Sequence, residues 1–132
     1  MHSRLLYYYR GLNLTMPVFG GLFFLATASN MGVPLSFNWL GEFMALAGAY
    51  ANTPVVGLIG ASGILLSACY SVWLFNRVMG GGYSRYLGPM VDITRREWHV
   101  MLPLVGGTLL LGVLPNIMLA DLHVAVSQLL VQ

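Results

Sequence analysis

The chain has 132 residues, of which 58% are hydrophobic and only 8% charged, with a mean hydropathy of +0.76. Soluble domains carry about 25% charged residues, so this composition excludes an ordinary soluble fold and marks an all-α integral membrane chain. The net charge of +2 rests on six arginines without any lysine; cations this sparse exclude a nucleic-acid surface and report on topology instead.

Residues 1–14 carry Arg4, Arg10 and the triplet Tyr7, Tyr8, Tyr9 with no acid. They read as an interfacial segment, its rings at headgroup level. No charged region, apolar core and small-residue cleavage site follow in order, which excludes a secretory signal.

Residues 15–50 form an apolar stretch of 36 residues. A helix needs only about 20 residues to cross a hydrocarbon core of about 30 Å, so one straight helix would overshoot. Gly32, Val33 and Pro34 sit near the middle. The proline lacks an N–H, crowds the preceding turn and biases Val33 away from helical dihedrals. A broken transmembrane helix is expected, with halves over residues 16–30 and 36–50. Asn30, Ser36 and Asn38 gather around the break, and unwound backbone at membrane depth requires a protein or water lining. The break therefore predicts a polar cavity.

Within this stretch stands one acid, Glu42, two helical turns or more from the polar end at Asn52. An ionisable residue inside a span is a functional-site hypothesis by default. Asn38 lies four residues earlier on the same face, and Gly41, Ala45 and Ala49 make a small-residue stripe beside it. Desolvation favours the neutral carboxyl and a neighbouring cation favours the anion, so a switch between these influences moves a proton. The competing reading is a kinked structural helix whose acid snorkels or forms a fixed ion pair.

Asn52, Thr53 and Pro54 make a turn with proline placed to open the next helix. A second span covers residues 54–76. In it, Gly63, Ser67 and Ser71 recur every fourth residue, as do Gly57 and Ala61, and both series suit close helix packing. Tyr70 and Trp73 read as interfacial aromatics, and Cys69 as a buried, inert thiol. Residues 77–97 are a polar loop. Its Gly80, Gly81 and Gly82 lack the lysine and the strand-to-helix context of a phosphate cradle and read as flexible connection. Asp92 or Thr94 can cap the third span, and Glu97 suits its first turn. That span covers residues 98–119, with Pro115 kinking or ending it. The tail, residues 120–132, reads as an interfacial helix with Leu122, Val126, Leu129 and Leu130 turned inward. His2, His99 and His123 fall in separate segments without metal-ligand spacing and read as interfacial. With three spans, all six arginines face one compartment, the positive-inside pattern.

The runs HSR…RGL…MP, ATASNMGVPLSFNWLGEF, ACYSVWLF and TRREW…LPLVGGTLLLGVLPNIM resemble the C-terminal part of subunit 4 of NADH:ubiquinone oxidoreductase, respiratory complex I, of the mitochondrial type. The most specific part comprises Asn30, Gly32, Pro34, Asn38, Gly41, Glu42 and Phe43. The resemblance covers essentially the whole chain and matches helices 12 to 14 of an antiporter-like bundle. It implies that three transmembrane segments, the first a broken helix, complete that bundle. It also implies that Glu42 ends a hydrated proton path, with Asn38, Asn30, Gly32 and Pro34 supporting the break.

The same resemblance implies a mitochondrial inner-membrane location, the arginine face in the matrix and the C-terminus toward the intermembrane space. Implied partners are a complementary N-terminal piece of about eleven helices, whose loss here points to a split subunit, the other core and accessory membrane-arm subunits, and lipids. Flavin, iron–sulfur clusters and quinone are implied elsewhere in the complex. This chain, with one cysteine and no dinucleotide fingerprint, is expected to hold no cofactor and to perform no redox chemistry. Two rivals are a monovalent cation/proton antiporter subunit and a structural accessory subunit.

Overall fold

The computed structural model describes residues 5–82, 84–88 and 90–130, excluding the side chains of residues 124 and 130. Met1, His2 and Arg4, and with them part of the expected interfacial segment, lie outside the described residues, as does the side chain of Leu130. Among the described residues five α-helices follow two short 3-10 turns (Leu6–Tyr8 and Leu12–Leu14): α1 Pro17–Asn30, α2 Phe37–Asn52, α3 Pro54–Met79, α4 Arg95–Val113 and α5 Asn116–Leu130. No strand occurs among the described residues.

The apolar stretch 15–50 stops being helical at Asn30 and resumes at Phe37. At about 1.5 Å per residue, neither the 14 residues of α1 nor the 16 of α2 span a hydrocarbon core. Among the described residues the helix long and apolar enough to cross one is α3, with 26 residues, while α4 and α5 meet that test only as a pair bent by 66°. The bend falls at Leu114 and Pro115, where the ring removes a donor from the helical ladder.

Thr53 alone joins α2 to α3, and Pro54 occupies the first helical position. The hairpin closes tightly because Gly57 has no side chain: a Cβ there would lie 2.7 Å from Tyr50 Cα. Gly60 similarly admits Leu46, 2.9 Å from where its Cβ would stand. The packed core sits at the arginine end, where Leu12, Met79 and Leu87 are buried beneath Tyr9, Phe19, Phe23, Phe75 and Val78. Phe23 and Phe75 stack with centroids 5.9 Å apart, binding α1 to α3.

Most other large apolar side chains are exposed. Cys69 is among the exposed residues, which corrects the expectation of a buried thiol: it lies on a face of α3 that the described residues leave uncovered, while α3 buries only Gly57, Ser71 and Met79. Leu122, Val126 and Leu129 are likewise exposed, not turned inward, because α5 leaves the bundle after the bend.

The two candidate caps divide between two helices. Thr94 caps α4 in a reciprocal box with Glu97. Asp92 instead caps α1 from 74 residues away: Val18 N–H donates to its Oδ2 at 2.9 Å and Phe19 N–H to its Oδ1 at 3.2 Å. Met16, at the N-cap position, supplies no side-chain acceptor, so the loop carboxylate satisfies amides that the helix leaves open. Partial desolvation raises the Asp92 carboxyl, but the amides of Val18, Ile93 and Phe19 outweigh it and hold the group below the usual carboxylate range.

Candidate functional site

The break is built from local backbone chemistry. Gly32 takes φ +72° and donates its N–H to Ser29 C=O at 3.1 Å, while Val33 N–H reaches back to Ala28 C=O at 3.2 Å. Pro34 follows and is exposed. Leu35 then adopts φ +83°, a conformation rare for a residue with a branched side chain. Ser36, buried to 3% exposure, restarts the helix: its Oγ accepts from Trp39 N–H at 3.2 Å and donates to Val33 C=O at 2.8 Å. The Leu35 carbonyl rests directly on Gly112 of α4, at a place where no Cβ fits. Thus α4 supports the strained turn from below.

Glu42 sits one turn into α2, half-buried, with Asn38 Nδ2 donating to its Oε1 at 2.8 Å. Its other oxygen faces the break: a Cβ on Gly32 would lie 2.6 Å from Glu42 Oε2. Glycine at position 32 therefore has two physical reasons, the positive φ and the approach of the carboxylate. The carboxylate opens into a cleft of about 280 Å³ between α2 and α3, lined also by Ala45, Leu46, Gly60, Gly63, Ile64 and Ser67. That volume admits several water molecules at about 30 Å³ each.

Asn30 does not join Glu42. Its Nδ2 donates instead to Tyr70 Oη at 3.3 Å and to Ser71 Oγ at 3.4 Å, across the interface with α3. Ser67 Oγ also donates to Tyr70 Oη at 3.3 Å. Two donors thus point at one phenolic oxygen. Tyr70 lies nine residues from Met79, roughly 13 Å along the helix. Ser71, read from sequence as packing, is the most buried side chain described, at 2% exposure.

Ser67 connects the two groups. It shares the cleft with Glu42 and the hydrogen bond with Tyr70. A second recess, about 370 Å³, is lined by Asn30, Asn38, Ser29 and Thr108 on the α4 side of the break. Polar atoms from four helices therefore surround the interruption. The signal for Tyr70, Ser67 and Ser71 was present in the sequence as a polar stripe with helical spacing on an apolar helix, but small-residue packing explained the serines equally well.

Among the described residues no basic side chain lines either recess. Among the described residues no three of His, Cys, Asp and Glu converge as a metal site. The arrangement can hold a proton on a carboxylate, orient that carboxylate through an amide, and admit water beside it.

A family model described as NADH:quinone oxidoreductase/Mrp antiporter, TM, matches residues 1–69, which include α1, the break and all of α2. The chain is also 46% identical over 129 residues to the NADH-ubiquinone oxidoreductase chain 4 of Mycosarcoma maydis, covering 98% of this chain and 27% of that one. The protein of the same name from Metridium senile is 42% identical over 118 residues, 89% of this chain and 24% of the relative. That from Marchantia polymorpha is 38% identical over 128 residues, 96% and 26% respectively. The chain spans about a quarter of the length of these relatives.

Proposed function

The chain belongs to the NADH:quinone oxidoreductase/Mrp antiporter transmembrane family, and on that premise we propose that it is the C-terminal, proton-handling piece of subunit 4 of a proton-translocating NADH:ubiquinone oxidoreductase. The observation that carries the reading is Glu42, an acid inside an apolar stretch, held by Asn38 at 2.8 Å and set against the glycine of a helix break. In this reading the carboxyl takes up and releases a proton as its surroundings change. Asn38 orients it, and Gly32, Pro34 and Asn30 keep the backbone open beside water.

In this reading α1 with α2, α3, and α4 with its continuation make three crossings of the mitochondrial inner membrane. The arginines lie on the matrix side and the C-terminus toward the intermembrane space. Glu42 is half-buried within this chain, so its full desolvation comes from a complementary piece of about eleven helices, together with the other membrane-arm subunits. Flavin, iron–sulfur clusters and quinone are held by those other subunits. Electron transfer happens there, and this chain moves protons.

The test is Glu42→Gln in the assembled complex. Glutamine keeps the shape and the contact with Asn38 but cannot ionise, so assembly should persist while protons moved per NADH oxidised fall. Normal pumping by an assembled variant would remove Glu42 from the path.

The family description joins the oxidoreductase to Mrp antiporters, which supports a second reading as a monovalent cation/proton antiporter subunit. Isolation through a tag on this chain separates the two. Co-purifying NADH-oxidising subunits support the first, and cation-antiporter subunits without them support the second.

A further inference from the structure

At the end of the bundle where α1 begins and α3 finishes, Arg10, Arg77 and Arg85 line a single recess of about 380 Å³ together with Tyr7, Ser84 and Tyr86. Arg10 and Arg77 extend into an adjoining recess of about 230 Å³ beside Trp73 and Asn76. The three arginines come from the N-terminal segment, α3 and the following loop, and the glycine triplet brings them together. Gly11, at φ +68°, donates its N–H to Gly80 C=O at 3.1 Å, and a Cβ there would stand 2.9 Å from the backbone of Gly81 and Gly82. Gly81, at φ +90°, leaves room for Arg10, whose Nε would be 3.0 Å from a Cβ at that position. Tyr86 is held edge-on against Tyr8, ring centroids 5.5 Å apart. The start of the loop after α3 thus packs backbone against backbone with Gly11.

Three like charges around one recess favour an anion there, and the chain has only four acids. Glu42 is engaged with Asn38 beyond the break, Asp92 with the amides of α1 and Glu97 with Thr94, while Asp121 lies on α5. Among the described residues no carboxylate lines the recess. Guanidinium forks match phosphate oxygens in geometry as well as charge. The tyrosines and Trp73, which is 60% exposed at the end of the apolar α3, belong at headgroup level.

We propose that Arg10, Arg77 and Arg85 form a headgroup site for an anionic phospholipid, with the phosphate in the cradle and the acyl chains along α3. Each arginine near an anionic headgroup contributes about five-fold to binding, and three together on the order of a hundred-fold.

The experiment uses the assembly isolated through a tag on this chain, delipidated and returned to phosphatidylcholine vesicles containing a photoactivatable phosphatidic acid. Labelling should map to the peptides that carry Trp73 through Tyr86. Unlabelled phosphatidic acid should compete and phosphatidylcholine should not. R77Q and R85Q should each lower labelling about five-fold, with R77K and R85K losing less. Equal labelling by a phosphatidylcholine probe, or labelling that R77Q and R85Q leave unchanged, would overturn the proposal. Equal competition by inorganic phosphate would also overturn it, since the cradle would then take phosphate without its lipid. Should a variant fail to assemble, phenylglyoxal modification of the unaltered complex decides. Arginines 77 and 85 should become reactive on delipidation and protected when phosphatidic acid is restored. Protection that survives delipidation would mean that an acidic segment of a neighbouring protein fills the cradle instead.

Discussion

Replacing Gly32 by alanine should uncouple proton movement from electron transfer without touching an ionisable group. An L-residue at φ +72° costs about 1 kcal/mol. The new Cβ would also stand 2.6 Å from Glu42 Oε2, whereas a C···O contact settles at roughly 3.4 Å, so the carboxylate must retreat by roughly 0.8 Å. Moving directly away, it would stretch the 2.8 Å bond from Asn38 to about 3.6 Å, beyond hydrogen-bond geometry. Losing that bond costs about 1 kcal/mol more. The sum, about 2 kcal/mol, corresponds to roughly a thirty-fold fall in the population that holds Glu42 against the break.

The assay is proton uptake per NADH oxidised in reconstituted vesicles, alongside amide hydrogen exchange at Val33 and Ser36, whose N–H groups bond to Ala28 and Val33 carbonyls. Gly32→Ala should lower coupling and speed both exchanges. Gly32→Asn separates the causes, because asparagine tolerates a left-handed backbone but still places a Cβ against Glu42. If the contact matters, Gly32→Asn uncouples as well. Gly21→Ala, which meets nothing within 4 Å, is the control. Normal coupling and unchanged exchange in assembled Gly32→Ala would refute the reasoning.

Removing the phenol with Tyr70→Phe should leave Asn30 bonded only to Ser71 and lower pumping less than Glu42→Gln does; pumping equal to the parent would exclude Tyr70 from the path. Gly112→Ala would drive a methyl into the Leu35 carbonyl, and overpacking of this kind costs about 1–3 kcal/mol, so the yield of assembled complex should fall while Gly106→Ala and Gly107→Ala, both in open space, leave it intact. The lowered Asp92 carboxyl stabilises the α1 terminus fully above the ordinary carboxylate range, and this contribution disappears as pH falls through the folded value, lower still. Val18 and Phe19 amides should accordingly stay protected from neutral pH down to about pH 4 and lose protection only in stronger acid. Asp92→Asn should weaken that protection wherever the parent carboxyl is ionised.

The helix interruption was legible because its causes are local. A proline after a glycine acts within one turn, and both sit in the six residues between Asn30 and Phe37. The pairing of Asn38 with Glu42 was legible for the same reason, since helical periodicity puts residues four apart on one face. Cys69 and the apolar residues of α5 were misread because a hydrophobic stripe shows that a face avoids water but not whether protein of the same chain covers it.

Sequence by itself thus determined the membrane class, the position of the break and the identity of its acid, all consequences of composition and short-range sterics. Tertiary structure alone decided that Asp92 caps α1 and that Glu42 leans on Gly32. It also decided that Asn30 turns to Tyr70 instead of the acid, and that three scattered arginines meet over a glycine loop. Each of these depends on how helices are rotated about their axes and how closely two backbones approach. Such choices are made by side-chain packing between residues distant along the chain, where local propensity carries no information.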